Sequence, residues 1–194
     1  MLSAKLGHRY DAPLSRIAKR IPFSPNALTV LGFLFTVSAA FIIPHHLQLG
    51  GVLIVMGGLC DMLDGVVART TGRVTSFGAF LDSVLDRYAD ASLFLGLAWY
   101  LAVREGHEGA FLSLGTLVGA FLVSYTRARA EGIGLSCHVG ILERPERIIL
   151  LIVATLTGWV VPILWIMLFF THVTVVQRIY HVWRKGGNTR REQS

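Results

Sequence analysis

The chain has 194 residues, of which 53% are hydrophobic and 15% are charged, and its mean hydropathy is +0.58. A soluble domain is usually about one quarter charged, so this composition argues against an ordinary water-soluble fold. The formal net charge of +6 indicates either a nucleic-acid partner or a membrane topology signal, and the placement of the basic residues decides between them. At this length we expect a single domain spanning residues 1–194.

The first 22 residues are basic and amphipathic, without the apolar stretch of a cleavable signal peptide. Within residues 3–20, Leu6, Tyr10, Leu14 and Ile17 can share one face of a helix, with Arg and Lys elsewhere. This pattern predicts a juxtamembrane helix on the cytoplasmic surface of the membrane. A basic tail that only fixes orientation is the alternative.

Long apolar runs follow, and their length predicts membrane helices. They cover residues 26–43, 48–69, 77–103, 109–127 and 148–183. The last run is too long for one span, and Gly158 and Pro162 indicate a turn inside it. The prediction is therefore an all-α polytopic membrane protein with six transmembrane helices and a polar tail at 185–194. Five spans is the alternative, because the fifth is short.

The basic residues support six spans with both ends in the cytoplasm. The outside loops of that topology hold only Arg104, and Arg87 lies within the third span. All the others fall in segments assigned to the inside: Lys5, Arg9, Arg16, Lys19, Arg20, Arg69, Arg73, Arg127, Arg129, Arg144, Arg147, Arg178, Arg184, Lys185, Arg190 and Arg191. Such a bias is typical of cytoplasmic loops. We therefore interpret the positive net charge as a signal of membrane topology, and we expect no nucleic-acid partner.

Two pairs of aspartates stand out in the second and third apolar runs. Asp61 and Asp64 are three residues apart, and Asp82 and Asp86 are four apart, so each pair shares a helix face. Measured from a turn near residues 70–76, Asp64 and Asp82 lie about 9 Å along their helices and Asp61 and Asp86 about 14 Å. Four carboxylates at matching heights repel one another unless protons or cations neutralise them. Such an all-oxygen set suits Mg²⁺, Mn²⁺ or Ca²⁺, and four charges match two divalent ions, an arrangement common in phosphoryl transfer.

The residues around the aspartates suit a phosphate ligand. Gly65 lets a ligand approach the backbone, Ala68 keeps the next turn small, Arg69 can hold a phosphate, and Gly78 opens a gap on the facing helix. Asp90 lies one turn beyond the pairs. For Asp90, a packing contact between helices and a role in the site are equally consistent with the sequence.

The stretch DMLDGVVARTTGRVTSFGAFLDSVLD, residues 61–86, resembles the signature of the CDP-alcohol phosphotransferase family, D-x2-D-G-x2-A-R-x8-G-x3-D-x3-D. All eight fixed positions are present at the expected spacing. They are Asp61, Asp64, Gly65, Ala68, Arg69, Gly78, Asp82 and Asp86. The six-span layout with cytoplasmic ends is also similar to the family, so the resemblance covers nearly the whole chain.

The resemblance implies an enzyme that displaces CMP from a CDP-linked lipid or alcohol when a hydroxyl attacks the β-phosphorus. It implies two divalent ions, Mg²⁺ or Mn²⁺, held by Asp61, Asp64 and Asp82. Asp86 would be the general base and a shared ligand. Gly65, Ala68, Arg69 and Gly78 would hold the CDP, and Asn26 and Thr29 are further nucleotide candidates in a P-N-x-x-T segment that the family often carries. The resemblance also implies a homodimer.

Four arginines indicate a phosphorylated acceptor. Arg127 ends the fourth run, and the segment ERPER places Arg144 and Arg147 at the start of the fifth, where a helix N-terminus favours anions. The segment SYTRARAE followed by ERxER is most similar to family members that use inositol 1-phosphate, which implies that Arg127, Arg147 and Arg178 hold the acceptor phosphate. Arg144 is a further candidate for the same role. In the other interpretation, these arginines fix the membrane topology or contact lipid headgroups.

Other functions remain open at this point. Within the family, phosphatidylglycerophosphate synthase and a CDP-inositol:inositol-phosphate transferase are the main alternatives. A cation-coupled transporter also uses intramembrane acids, but it more naturally places them near the midplane and shows repeated halves. A prenyltransferase has a different aspartate spacing, and a membrane scaffold leaves the aspartates unexplained.

Overall fold

The computed structural model describes residues 23–189, and the side chains of residues 23–185. This part of the chain contains helices and no β-strand. In chain order the helices are α1 (Pro25–Ile42), α2 (Leu47–Thr70), α3 (Ser76–Arg104), α4 (His107–Gly132), α5 (Arg144–Thr157) and α6 (Val160–Thr189). The predicted surface helix in residues 1–22 and most of the polar tail lie outside the described residues.

Each helix boundary near the aspartates has a local cause. Ser24 caps α1 by accepting a hydrogen bond from Ala27 N at 3.3 Å, and Thr75 caps α3 by accepting one from Gly78 N at 3.0 Å. The turn between α2 and α3 contains Gly72 with φ +66°, a left-handed conformation that glycine adopts without strain. This short turn joins α2 to α3 and allows carboxylates of the two helices to approach one another.

The α5–α6 boundary differs slightly from the prediction. Gly158 ends α5 with φ +81°, as expected of a helix C-terminus. Pro162, however, lies in the first turn of α6, because proline fits there without interrupting a backbone hydrogen bond. The turn therefore consists of residues 158–159 alone.

Four of the described helices are long and apolar enough to cross a membrane: α1, α2, α4 and α6. Helix α5 has only 14 residues, and α3 carries Asp82, Asp86, Arg87 and Asp90 in its first half. The outer surface is apolar, with exposed side chains such as Phe41, Phe111, Trp165 and Phe169. An apolar exterior of this kind is what lipid requires.

Helix α3 is central despite its charges, because its second half is the middle of the core. Leu93, Phe94 and Leu97 are fully buried. It packs against α1 and α4, whereas α5 packs on α2 and α6. Helices α1 and α2 approach closely where a Cβ on Gly32 would lie only 3.1 Å from Cys60 Cβ and Gly57 O. This approach fixes α1 beside the aspartates of α2.

Candidate active site

Three aspartates from α2 and α3 form one acidic group. Each of Asp61, Asp64 and Asp82 offers a carboxylate oxygen, and these oxygens all lie within 4.8 Å of one another. The helical spacing and the short α2–α3 turn bring them together. Asp82 Oδ1 is buried and has no hydrogen-bond partner within the described part of the chain. A set of hard oxygen donors with an unsatisfied buried atom fits a divalent cation such as Mg²⁺ or Mn²⁺.

Helix α1 orients one member of this group. Thr29 Oγ1 donates to Asp64 Oδ2 at 2.6 Å, a short bond of the charge-assisted kind. Asp64 is buried. The bond from Thr29 uses only Oδ2, one of the two carboxylate oxygens that can accept or coordinate. Thr29, predicted as a nucleotide contact, therefore lies in direct contact with the acidic group.

Asp86 lies beside the acidic group and contacts an arginine. Arg144, at the start of α5, places Nη2 2.7 Å from Asp86 Oδ1 and Nη1 3.0 Å from Asp61 Oδ2. Arg87 Nη1 lies 3.4 Å from the other oxygen of Asp86. One guanidinium thus joins a carboxylate of α2 to one of α3, and it offsets part of the repulsion among the acids.

A cavity of about 330 Å³, here called the polar cavity because about half of its lining residues are polar or charged, opens on one side of the acids, near Asp64 and Asp82. All six residues predicted to hold the nucleotide line it: Asn26, Thr29, Gly65, Ala68, Arg69 and Gly78. Packing explains why position 78 is glycine, because a Cβ there would lie only 3.1 Å from Asn26 Oδ1. Arg73 and Thr75 also line this cavity, and the sequence argument did not select them.

A second, apolar cavity of about 450 Å³ opens on the other side, near Asp61 and Asp86. Its walls come from α1, α2, α3 and α5, with Phe33, Met62 and Ile149 among them. Thr29 lines both cavities. The carboxylates therefore lie at the junction of a polar space and an apolar one.

The four predicted acceptor arginines have different environments. Arg147 is 1% exposed and donates to Asp90 at 2.9 Å, while its Nε and Nη1 are buried with no hydrogen-bond partner among the described residues. Arg178 is also buried; it donates to the carbonyls of Val139 and Val123 and to Glu143.

Arg127 is 42% exposed and pairs with Glu131 at 2.9 Å. Arg178 donates to Val123 O, one turn before Arg127, and to Glu143, one turn before Arg147, so these three arginines lie in one region. Arg144 instead faces the aspartates. Three of the four predicted arginines therefore lie together, whereas Arg144 contacts the aspartates.

Two acids pair with these arginines: Glu143, which was not predicted as part of the site, and Asp90, for which the sequence left a role in the site open. Glu143 accepts from Arg178 at 3.2 Å, and Asp90 accepts from Arg147. Asp90 does carry a signal in the sequence, since it lies four residues after Asp86 and so on the same face of α3. Arg144 and Arg147, three apart, likewise share a face of α5.

Residues 23–179 match the sequence profile of the CDP-alcohol phosphatidyltransferase family. The chain is 40% identical over 187 residues to an archaetidylinositol phosphate synthase of Pyrococcus horikoshii, covering 93% of this chain and 95% of that protein. It is 33% identical over 191 residues to a phosphatidylinositol phosphate synthase of Mycobacterium tuberculosis, covering 92% and 88%.

Solved structures of phosphatidylinositol phosphate synthase from Mycobacterium tuberculosis have the same fold. The structure with CDP-DAG bound is 33% identical and superposes with a TM-score of 0.79, covering 90% of this chain and 94% of that one. The structure in complex with manganese and citrate is 32% identical with a TM-score of 0.80, covering 89% and 88%.

Proposed function

The chain belongs to the CDP-alcohol phosphatidyltransferase family, as its motif predicted, and on that premise we propose that it transfers a phosphatidyl-type group from a CDP-linked lipid to inositol 1-phosphate. The reaction forms a bond from the acceptor hydroxyl oxygen to the β-phosphorus of the donor. It breaks the bond from that phosphorus to the oxygen of CMP, which leaves. The products are a phosphorylated inositol lipid and CMP.

The position of the acids between two unlike cavities carries this proposal. A CDP-linked lipid has a polar nucleotide at one end and apolar chains at the other, joined through a diphosphate. The polar cavity beside Asp64 and Asp82 suits the nucleotide, and the apolar cavity beside Asp61 and Asp86 suits the chains. The scissile diphosphate then lies at the carboxylates. This arrangement favours a lipid donor over a CDP-alcohol without chains.

We assign Asp61, Asp64 and Asp82 as the metal ligands, with Asp86 shared between the metal site and the base function. Mg²⁺ or Mn²⁺ in this site would neutralise the diphosphate and stabilise both the attacking and the leaving oxygen. Thr29 holds the Asp64 carboxylate in a fixed orientation through its 2.6 Å hydrogen bond. Gly65, Ala68, Arg69, Gly78 and Asn26 bind the nucleotide.

Asp86 acts as the general base in this proposal. It lines the apolar cavity, and its side chain is only 13% exposed, so bulk water does not compete for its oxygens. The carboxylate takes the proton of the acceptor hydroxyl as that oxygen bonds to phosphorus. Arg144, 2.7 Å away, keeps the carboxylate in place.

The arginines favour an acceptor that carries its own phosphate. Arg147 has two buried donors without hydrogen-bond partners among the described residues, which is a costly arrangement unless an anion uses them. Arg127 and Arg178 lie in the same region, because Arg178 donates to Val123 O, one turn before Arg127, and to Glu143, one turn before Arg147. We therefore assign Arg127, Arg147 and Arg178 to the acceptor phosphate, together with Arg144, which contacts the aspartates and also lines the cavity beside Asp86. A neutral alcohol would leave the two unpartnered donors of Arg147 without an anion.

We further propose that the whole chain is one membrane domain of six transmembrane helices with an amphipathic helix at its N-terminus, active as a homodimer. The distribution of basic residues favours a cytoplasmic active site and cytoplasmic ends in the cell membrane. The short α5 packs on α2 and α6, and the acids of α3 pair with Arg144 and Arg147 of α5, which lowers the cost of placing these charges in a membrane domain. Lipid then contacts the remaining apolar exterior.

Release of CMP by the purified protein in detergent tests the proposed acceptor. The donor is CDP-diacylglycerol or CDP-archaeol, with Mg²⁺ or Mn²⁺, and each acceptor is supplied separately: inositol 1-phosphate, inositol, glycerol 3-phosphate or serine. We expect metal-dependent release with inositol 1-phosphate and none after addition of EDTA. Release with glycerol 3-phosphate alone would contradict the inositol assignment and keep the phosphate pocket. Release with inositol or serine alone would contradict the pocket as well.

A further inference from the structure

Asp90 joins the two arginines at the start of α5 to the catalytic face of α3. It is 3% exposed and lies one turn beyond Asp86. Its Oδ2 accepts a hydrogen bond from Arg147 Nη2 at 2.9 Å, and its Oδ1 lies 3.8 Å from Arg144 Nε. Helix α5 packs mainly on α2 and α6. The contact between α5 and the acidic face of α3 therefore depends on these charged side chains.

Arg144 faces three carboxylates at once. Nη1 donates to Asp61 and Nη2 lies 2.7 Å from Asp86, while Nε points toward Asp90 without reaching hydrogen-bond distance. A guanidinium is planar with donors in a fixed fork, so the position of one edge sets the position of the others. The negative charge of Asp90 attracts Arg144 at Nε, while Asp61 and Asp86 attract it at Nη1 and Nη2.

We infer that Asp90 is a positioning residue that sets where Arg144 and Arg147 present their guanidinium groups to the phosphorylated acceptor. This inference rests on the proposed function, because it takes the anion for these arginines to be the acceptor phosphate. With Asp90 ionised, Arg147 donates to it through Nη2, while its buried Nε and Nη1 have no hydrogen-bond partner among the described residues. Without that charge, both guanidinium groups lose the anion that orients them.

A purely structural ion pair is the competing explanation, and the geometry argues against it. A buried pair stabilises a fold only when the remaining donors and acceptors are also satisfied. Here Arg147 Nε and Nη1, Arg144 Nε and Asp90 Oδ1 are all buried without hydrogen-bond partners in the part of the chain that the structure describes. A contact that leaves four such atoms unsatisfied is better suited to receiving a ligand than to holding helices together.

The test is Asp90→Asn, which keeps the shape and removes the charge. Steady-state CMP release is measured with whichever phosphorylated acceptor the parent enzyme uses. We expect the KM for that acceptor to rise about 10- to 100-fold, as for loss of a residue that orients a ligand-binding group. The KM for the CDP-linked lipid should change less than about twofold, because Asp90 lines neither cavity. Asp90→Glu, which keeps the charge but moves it, should fall between parent and Asn variant.

Ser113→Ala is the matched control. Ser113 is fully buried on α4 and donates to Phe94 O of α3 at 2.7 Å, so its loss also weakens a buried polar contact of α3 but away from the arginines. Its acceptor KM should equal that of the parent. An unchanged acceptor KM in Asp90→Asn, an equal rise for both substrates, or the same rise in Ser113→Ala would each overturn the inference.

Three further outcomes complete the test, and the last two separate this inference from the proposed function. If Asp90→Asn yields no folded protein, Asp90→Glu decides: a raised acceptor KM supports the positioning role, and a KM equal to that of the parent overturns it. If the parent enzyme turns over no phosphorylated acceptor, the proposed function fails and the inference fails with it. If the parent turns over such an acceptor and Asp90→Asn matches it, the inference alone fails.

Discussion

Asp86→Asn is expected to lower kcat for CMP release by about 10²- to 10⁴-fold, the usual contribution of a positioned general base. Asparagine has the same shape and can still accept the hydrogen bond from Arg144, but it cannot take a proton from the acceptor hydroxyl. Binding of the CDP-linked lipid should therefore persist, which is measured as a shift in thermal unfolding when the lipid is added.

Glu108→Gln provides the control for this variant. Glu108 is an exposed acid in the first turn of α4. Its substitution also replaces a carboxylate with an amide, but away from the acidic group. It should retain the kcat of the parent. Normal turnover by Asp86→Asn would remove Asp86 from the role of base, and loss of donor binding together with turnover would indicate that it serves the metal site alone.

Arg147→Ala is expected to reduce the free energy of unfolding by about 3–5 kcal/mol, because it leaves Asp90 as a buried carboxylate without its main partner. Thermal unfolding in detergent measures the change. Adding Asp90→Asn to this variant should restore part of the loss, since it removes the unpaired charge. The variant should also bind the phosphorylated acceptor far more weakly than the CDP-linked lipid.

Arg127→Ala is the matched comparison. Arg127 and Glu131 form an exposed pair four residues apart on α4, so the expected loss is only about 0.3–0.5 kcal/mol. Equal, small effects of the two arginine substitutions would contradict the buried pairing of Arg147 with Asp90. Equal weakening of both substrates in Arg147→Ala would indicate general misfolding.

The sequence predicts the acidic group well because short-range geometry determines it. The spacing of Asp61 and Asp64 and the position of Asp82 depend on the helical repeat and on a five-residue turn, both of which can be read directly. The end of α5 follows for a similar reason, since Gly158 adopts the left-handed conformation that is typical of a helix C-terminus.

The rest depends on packing between distant elements, which spacing does not specify. The bond from Thr29 to Asp64 spans 35 residues and requires α1 to approach α2 at Gly32. The contact of Arg144 with Asp61 spans 83 residues and depends on α5 packing against α2. Helical periodicity predicts that Arg144 and Arg147 share one face of α5, but it does not predict which residues that face contacts. The pairing of Asp90 was open for the same reason.

Titration of the purified protein with Mn²⁺, with free ion followed by electron paramagnetic resonance, tests the central claim most directly. The parent should bind about two ions per protomer, as a two-metal phosphoryl-transfer site requires. Asp82→Asn should lose this binding because it removes one of the three converging carboxylates, while Glu108→Gln should match the parent. Absence of Mn²⁺ binding by the parent, or binding that survives Asp82→Asn unchanged, would contradict the assignment of the α2–α3 aspartates as the metal site.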